Sequence, residues 1–296
     1  VADRTMTWDS TGYGSHTEMG VASPSTTWFL AEGATHGDFD LFYVLANPNG
    51  TPASVTIRYL RPAPAPAAVR AFSVPPYARY TVWVDREGVE LASTDVSAAI
   101  TSDQPVVVER TMYLSRSGRS FAAGHASAGV TAPALDWFLA EGATGDYFDT
   151  FILVANPNAQ AAAVTVTYLF PDGSTLARAS TIAAASRYNI WVDYEDSRLA
   201  DTAVAARVTS TNGVPVVVER AMWWPGPTSA TWHEAHTSAG ATESGVTWAV
   251  AGGEQGGARN ADTYVVIANV TAASAQARVS VLFDDGTPAA STVVAV

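Results

Sequence analysis

The stretch WFLAEGAT at 28–35 recurs letter for letter at 137–144, and that duplication decides how the rest of the chain is read. Its surroundings recur with it. TTWFLAEGATHGDFDLFYVLANPN (26–49) returns as LDWFLAEGATGDYFDTFILVANPN (135–158) and, more loosely, as VTWAVAGGEQGGARNADTYVVIANV (246–270). The leading tryptophans, Trp28, Trp137 and Trp248, set a period of about 110 residues. Solenoid units run ~20 to 45 residues, so this spacing implies separate domains in tandem.

Further motifs keep the same order. ARYTVWVD (78–85) answers to SRYNIWVD (186–193), PVVVERTMY (105–113) to PVVVERAMW (215–223), and GHASAGV (124–130) to EAHTSAGA (234–241). The first residues align with the end of such a unit, with Asp3, Arg4, Met6 and His16 standing where Glu109, Arg110, Met112 and His125 stand later. The expected division is therefore 1–26 as the C-terminal end of a preceding repeat, 27–135 and 136–246 as whole repeats, and 247–296 as the N-terminal half of a further, divergent repeat. On this reading the chain is a window from a longer array.

Within a unit, short β-branched apolar runs alternate with period two and are cut by turn residues every 8 to 12 positions, the pattern of an antiparallel sandwich. DTFILVANPN stops at Asn156-Pro157, AAVTVTYLF ends at Pro171-Asp172-Gly173, and 202–224 reads as a hairpin turning at Asn212-Gly213. The fold class expected is all-β: tandem immunoglobulin-like antiparallel β-sandwich repeats of about 110 residues. Two cores are expected, each centred on the Trp28 or Trp137 strand and the Trp83 or Trp191 strand. The run RPAPAPAAV from Arg61 reads as an extended surface crossover, because proline cannot donate to a central ladder. The stretches 114–135 and 224–245 are long for structureless loops and are expected to contribute a strand or to pack across the junction.

The 296 residues include no cysteine and no lysine; 16 arginines against 28 acids leave a net charge of −12. Disulfides and thiolate sites are excluded, and nucleic acid, which needs clustered basic residues, is not an expected partner. No apolar run approaches the ~18 residues of a membrane-spanning helix.

Several residues look chemical. Glu32 and Glu141 lie among apolar neighbours, where a general acid would be sought, and a carboxylate pair would suit glycoside hydrolysis. Glu109-Arg110 and Glu219-Arg220 lie inside apolar strands, so one charge of each pair faces inward and needs a partner. The recurring candidates are Glu32/Glu141, Arg79/Arg187, Asp85/Asp193 and Asp40/Asp149. Recurrence in both units, with Gly252 replacing the glutamate in the third, favours structural ion pairs over catalysis. His16, His125 and His236 are read as junction histidines. No cofactor is expected; calcium at unit junctions, suggested by DYEDSRLAD from Asp193, is the metal alternative, without an Asp-x-Asp-x-Asp-Gly loop behind it. Trp223, Trp224 and Trp232 form a candidate contact patch for a sugar or another surface.

The order W-F-x-A-E-G-x-T, N-P-N, S-R-Y…V-D, P-V-V-V-E-R-A-M and G-H-x-S-x-G resembles tandem β-repeats of large secreted or cell-surface bacterial proteins, notably those of actinobacteria. The resemblance spans nearly the whole chain. It implies an extracellular, repeat-built surface protein with no catalytic residues to carry over. The expected function is a non-enzymatic structural array: a stalk, adhesin shaft or filament subunit whose partners are neighbouring repeats and identical chains end to end. The alternative is a carbohydrate- or cell-wall-binding module using exposed tryptophans.

Overall fold

The computed structural model describes residues 2–7, 15–116, 118–226, 229–258 and 260–296. It is all-β, 54% strand and 3% helix, with sandwich-like sheets. Strands β1 (Asp3–Thr7) and β2 (Ser15–Met19) form an antiparallel pair. There follow β3 (Ser25–Leu30), β4 (Phe39–Asn47), β5 (Ala53–Pro62), β6 (Ala68–Val74), β7 (Ala78–Trp83), β8 (Ser97–Arg116) and β9 (Arg119–Ala128). The second segment comprises β10 (Asp136–Leu139), β11 (Asp149–Asn156), β12 (Ala162–Leu169), β13 (Thr175–Ile182), β14 (Ser186–Trp191), β15 (Ala205–Ser210), β16 (Val217–Trp224) and β17 (Glu234–Ala239). β18 (Gln276–Val281) and β19 (Ala290–Ala295) close the chain.

The two segments share one topology. In the second, the sheets run β10-β15-β12-β13 and β17-β16-β11-β14. In the first, the 20-residue β8 stands for both β15 and β16. Its N-terminal part pairs with β3 and β5, and its C-terminal part with β4 and β9. The stretch 202–224 is accordingly a crossover between sheets and not the hairpin expected. β15 and β16 belong to different sheets, and Pro215, lacking an N–H, suits the point where one ladder is left for the other. The alanine-proline run likewise differs from expectation: it is the short connection between the paired strands β5 and β6. Both tails carry strands, β9 and β17, as their length demanded.

Trp28 and Trp137 are buried in the core, and each indole donates to a backbone carbonyl, Val106 O and Val216 O, at 2.9 Å. Trp83 and Trp191 do not centre the cores. Strand alternation turns Val82 and Ile190 inward, leaving Trp83 half-buried against Phe42 (5.1 Å between centroids) with Arg86 over its ring. The N-P-N motif is structural in both segments. Asn47 donates to the Thr51, Val74 and Pro75 carbonyls, and Asn156 to those of Gln160, Ile182 and Ala183. Buried amides need such partners, because an unmade hydrogen bond costs about 1–3 kcal/mol.

The third stretch departs from this pattern. Asn269 still donates to Ala273 O and Val296 O, but no strand is formed among the described residues of 246–270. Trp248 is 68% exposed.

Candidate functional site

The recurring charged residues meet where the second segment packs on the first. Glu109 and Arg110 are adjacent on β8, so their side chains leave on opposite faces. Arg110 is fully buried and meets Glu219 of β16, also fully buried. Arg110 Nη1 donates to Glu219 Oε2 (2.5 Å) and to the Glu32 carbonyl (3.0 Å), while Nη2 donates to Ser127 Oγ (2.5 Å) and lies 3.4 Å from Glu32 Oε2. Glu219 Oε2 also accepts the Glu32 backbone N–H at 2.9 Å. Glu32 Oε2 accepts the Thr237 hydroxyl at 2.6 Å and sits 3.3 Å from His125 Nε2.

Arg187 adds a second cation. It is buried and donates to Gly33 O at 2.6 Å, 3.7 Å from Asp95, which also holds His36 at 3.2 Å. Backbone joins backbone beside it. β14 pairs parallel with β5 through Ser186–Arg61 and Arg187–Pro62, and Ser186 Oγ donates to Arg61 O at 2.9 Å. Arg58 reaches Pro157 O and Arg116 reaches Trp232 O.

The electrostatics follow from burial. Desolvation alone would lower the Arg110 pKa, but Glu219 and Glu32 outweigh it and hold it above the ordinary value. Desolvation raises Glu32 against the pull of Arg110 and Thr237, and lowers Arg187 against Asp95 and Glu32. His125 is held well below its usual range by burial first, then by Arg110, His236 and His16. His16 and His236 are lowered too, His236 to about 4, again chiefly by burial.

These histidines make a pH dependence. A histidine whose folded pKa lies below its unfolded value of about 6.5 contributes stability that is present above pH 6.5 and lost as pH falls. Glu18 and Asp85, raised by burial to about 7 and about 6, act in the opposite direction, so a single variant is needed to isolate the effect. His125 faces Glu32, Arg110 and Thr237 and stacks edge-on against Trp223. Replacing it with Asn is expected to flatten the acid limb of the stability profile. Relative to the parent, H125N gains on the order of 2 kcal/mol between pH 7.5 and pH 5, read by urea unfolding at each pH. Parallel profiles would refute the assignment.

The remaining sequence candidates fall as follows. Arg79, the counterpart of Arg187, is exposed. Glu109 pairs with Arg4 of β1 at 2.9 Å. Among the described residues Asp85 and Asp193 pair with no arginine and instead accept the Leu41 and Thr150 backbone N–H groups, both at 3.0 Å. Arg220 pairs with Glu141 (2.9 Å) and contacts His236 Nδ1 (3.2 Å). The tryptophan patch is largely interior. Trp223 and Trp232 are buried and stacked, Trp223 packs on Phe39 of the first segment at 5.3 Å, and Trp232 donates to Asp149. Trp224 is half-buried beside Phe148. Among the described residues no group of three or more His, Asp or Glu side chains is placed to hold a metal ion, and none of their helices is long and apolar enough to cross a membrane.

Sequence reading missed Thr237 and Asp95. The available signal was a difference between the copies: Ala126 and Ala203 occupy the corresponding positions. Thr237 on the second segment and Asp95 on the first are the residues that enter this joint.

The relation between segments is not confined to one place. The hairpins β1/β2, β8/β9 and β16/β17 share a register, with Met6, Met112 and Met222 opposite His16, His125 and His236. Arg4 meets Glu109 as Arg110 meets Glu219. Gly252, in the place of Glu32, lies against Asp3, in the place of Glu219: a Cβ on Gly252 would come 3.1 Å from Asp3 Oδ2.

No family model matches the chain, and no curated protein sequence matches it. A solved structure described as the crystal structure of Thermotoga maritima 1070 aligns over 37% of this chain and 96% of its own, at 16% identity and a TM-score of 0.34.

Proposed function

We propose that this chain is a non-enzymatic structural protein, secreted or displayed on a cell surface. Its units are immunoglobulin-like sandwich repeats of about 110 residues, bounded near 27–135 and 136–246 and locked together by buried ion pairs. One observation carries the reading: Glu32, the residue most like a catalytic acid, is consumed by the joint, where its carboxylate holds Thr237 and its backbone N–H holds Glu219. A general acid must instead reach a substrate proton. The burial of Trp223 and Trp232 speaks against the glycan-binding alternative. Titrating cell-wall glycans while following tryptophan fluorescence separates the two; a saturable shift would favour binding.

The recurring contacts favour closure over the linear shaft that tandem repeats first suggest. Arg4–Glu109 and Arg110–Glu219 step from one segment to the next, and the approach of Gly252 to Asp3 returns to the start. The three histidines lie within electrostatic reach of one another, as they would around a common axis. A compact body of this length has a radius of gyration of about 19 Å. Small-angle scattering is expected to give a value close to that, and a rod-like profile well above it would sink the closed arrangement.

A further inference from the structure

We propose that the pocket beside Arg220 is a docking site for a β-strand of the Val-Val-Val-Glu-Arg type from a second polypeptide. The strand's glutamate would sit on the Arg220 guanidinium and the Glu141 backbone N–H. The proposal rests on the repeat reading above: the chain's own Asp3, in the place of Glu219, lies against Gly252 and is not among the residues lining this pocket, which leaves the Arg220 joint open to a strand from outside the chain.

The pocket has a volume of ≈ 310 Å³, and its lining includes Glu141, Arg220, His236, Ser238, Tyr264 and Val266. The first four occupy the positions of Glu32, Arg110, His125 and Ser127, the set that receives Glu219 in the buried joint. There, Glu219 arrives on β16, which pairs with β11 so that Leu153 lies opposite the glutamate. Val266 is the counterpart of Leu153 in the third stretch, and it already lines the pocket. Among the described residues no strand pairs with 262–269. Tyr264 is 84% exposed and Val266 48%, whereas Leu153 is buried.

Charge identifies what the pocket takes. Arg110 is shared between two carboxylates, Glu219 and Glu32. Among the described residues the carboxylate paired with Arg220 is Glu141 alone, whose side chain is 49% exposed where that of Glu32 is 5% exposed. Burial lowers the Arg220 pKa with only Glu141 opposing it, the reverse of the balance at Arg110. A second carboxylate delivered on an apolar strand would supply what the first joint has. Two independent features thus coincide at one place: an exposed apolar segment that no strand pairs with among the described residues and a buried cation short of one anion.

The test uses the full chain and a fluorescently labelled peptide, GVPVVVERAMWW, the sequence of 213–224, followed by anisotropy. Saturable binding is expected. It should weaken by at least about tenfold when the chain carries R220E, because like charges then face each other. A peptide with arginine in place of its glutamate should fail on the parent chain and bind the R220E chain. V266D, an exposed change that spares the core, should also weaken binding at least tenfold and guards against misfolding of R220E. No saturable binding, or binding indifferent to both substitutions, overturns the proposal. If binding fails while Arg110 and Glu219 remain energetically coupled, the docking site falls and the repeat reading stands. Loss of that coupling as well would remove both.

Discussion

Replacing Glu219 with Ala is expected to cost about 3–5 kcal/mol, because it leaves the fully buried Arg110 short of its charged partner. Arg110 would keep its hydrogen bonds to the Glu32 carbonyl and Ser127, with the 3.4 Å contact to Glu32 Oε2 as its remaining ion pair, and the Glu32 N–H would lose its acceptor. For a body of this size the melting temperature should fall on the order of 10 °C. The double variant Arg110→Met with Glu219→Leu should recover most of the loss, since removing both charges also removes the desolvation penalty. A double-mutant cycle read by denaturant unfolding therefore expects a large coupling energy. Single losses below about 0.5 kcal/mol, or a double loss equal to the sum, would show that the pair does not hold the joint.

Trp137→Ala is expected to cost about 3–5 kcal/mol, the usual range for deleting a large buried aromatic ring. The buried ring donates its Nε1–H to Val216 O, so the substitution opens a cavity and removes one of the two hydrogen bonds that Val216 O accepts, the other coming from the Ala134 N–H. Trp248→Ala is the matched control. The same sequence motif places Trp248 largely in solvent, and its removal should change stability by no more than about 0.5 kcal/mol. Equal losses at both positions would mean that the third stretch is packed like the second. Unfolding curves of the two variants, measured against the parent, decide it.

Much of the fold was legible in local pattern. Period-two alternation marked β12 and β14, the N-P-N and Pro-Asp-Gly turns ended β11 and β12 where they end, and the length of the two tails called for a strand or for packing across the junction, which β9 and β17 supply as strands. The misreadings share a cause. The stretch 202–224 has the composition of a hairpin, yet its two strands join opposite sheets. Trp83 and Trp191 look like core residues, yet alternation assigns the interior to their neighbours. Hydrophobicity says that a strand is half-buried; which sheet receives it depends on partners distant in sequence.

The candidate site divides in the same way. That one charge of each pair, Glu109-Arg110 and Glu219-Arg220, needs a buried partner follows from the apolar strands alone, although the joint buries both Glu219 and Arg220, and the duplicated WFLAEGAT is enough to make Glu32 and Glu141 equivalent in origin. They are not equivalent in place. Glu32 is enclosed by Thr237, His125 and the Glu219 carboxylate, while Glu141 keeps half its surface in a pocket. Arg187 is buried in the joint and its twin Arg79 is exposed. Local sequence determines strand, turn and inward-facing charge, because these depend on neighbours along the chain. Only the tertiary structure decides which copy of each residue meets another segment, because desolvation and pairing depend on what packs across the joint.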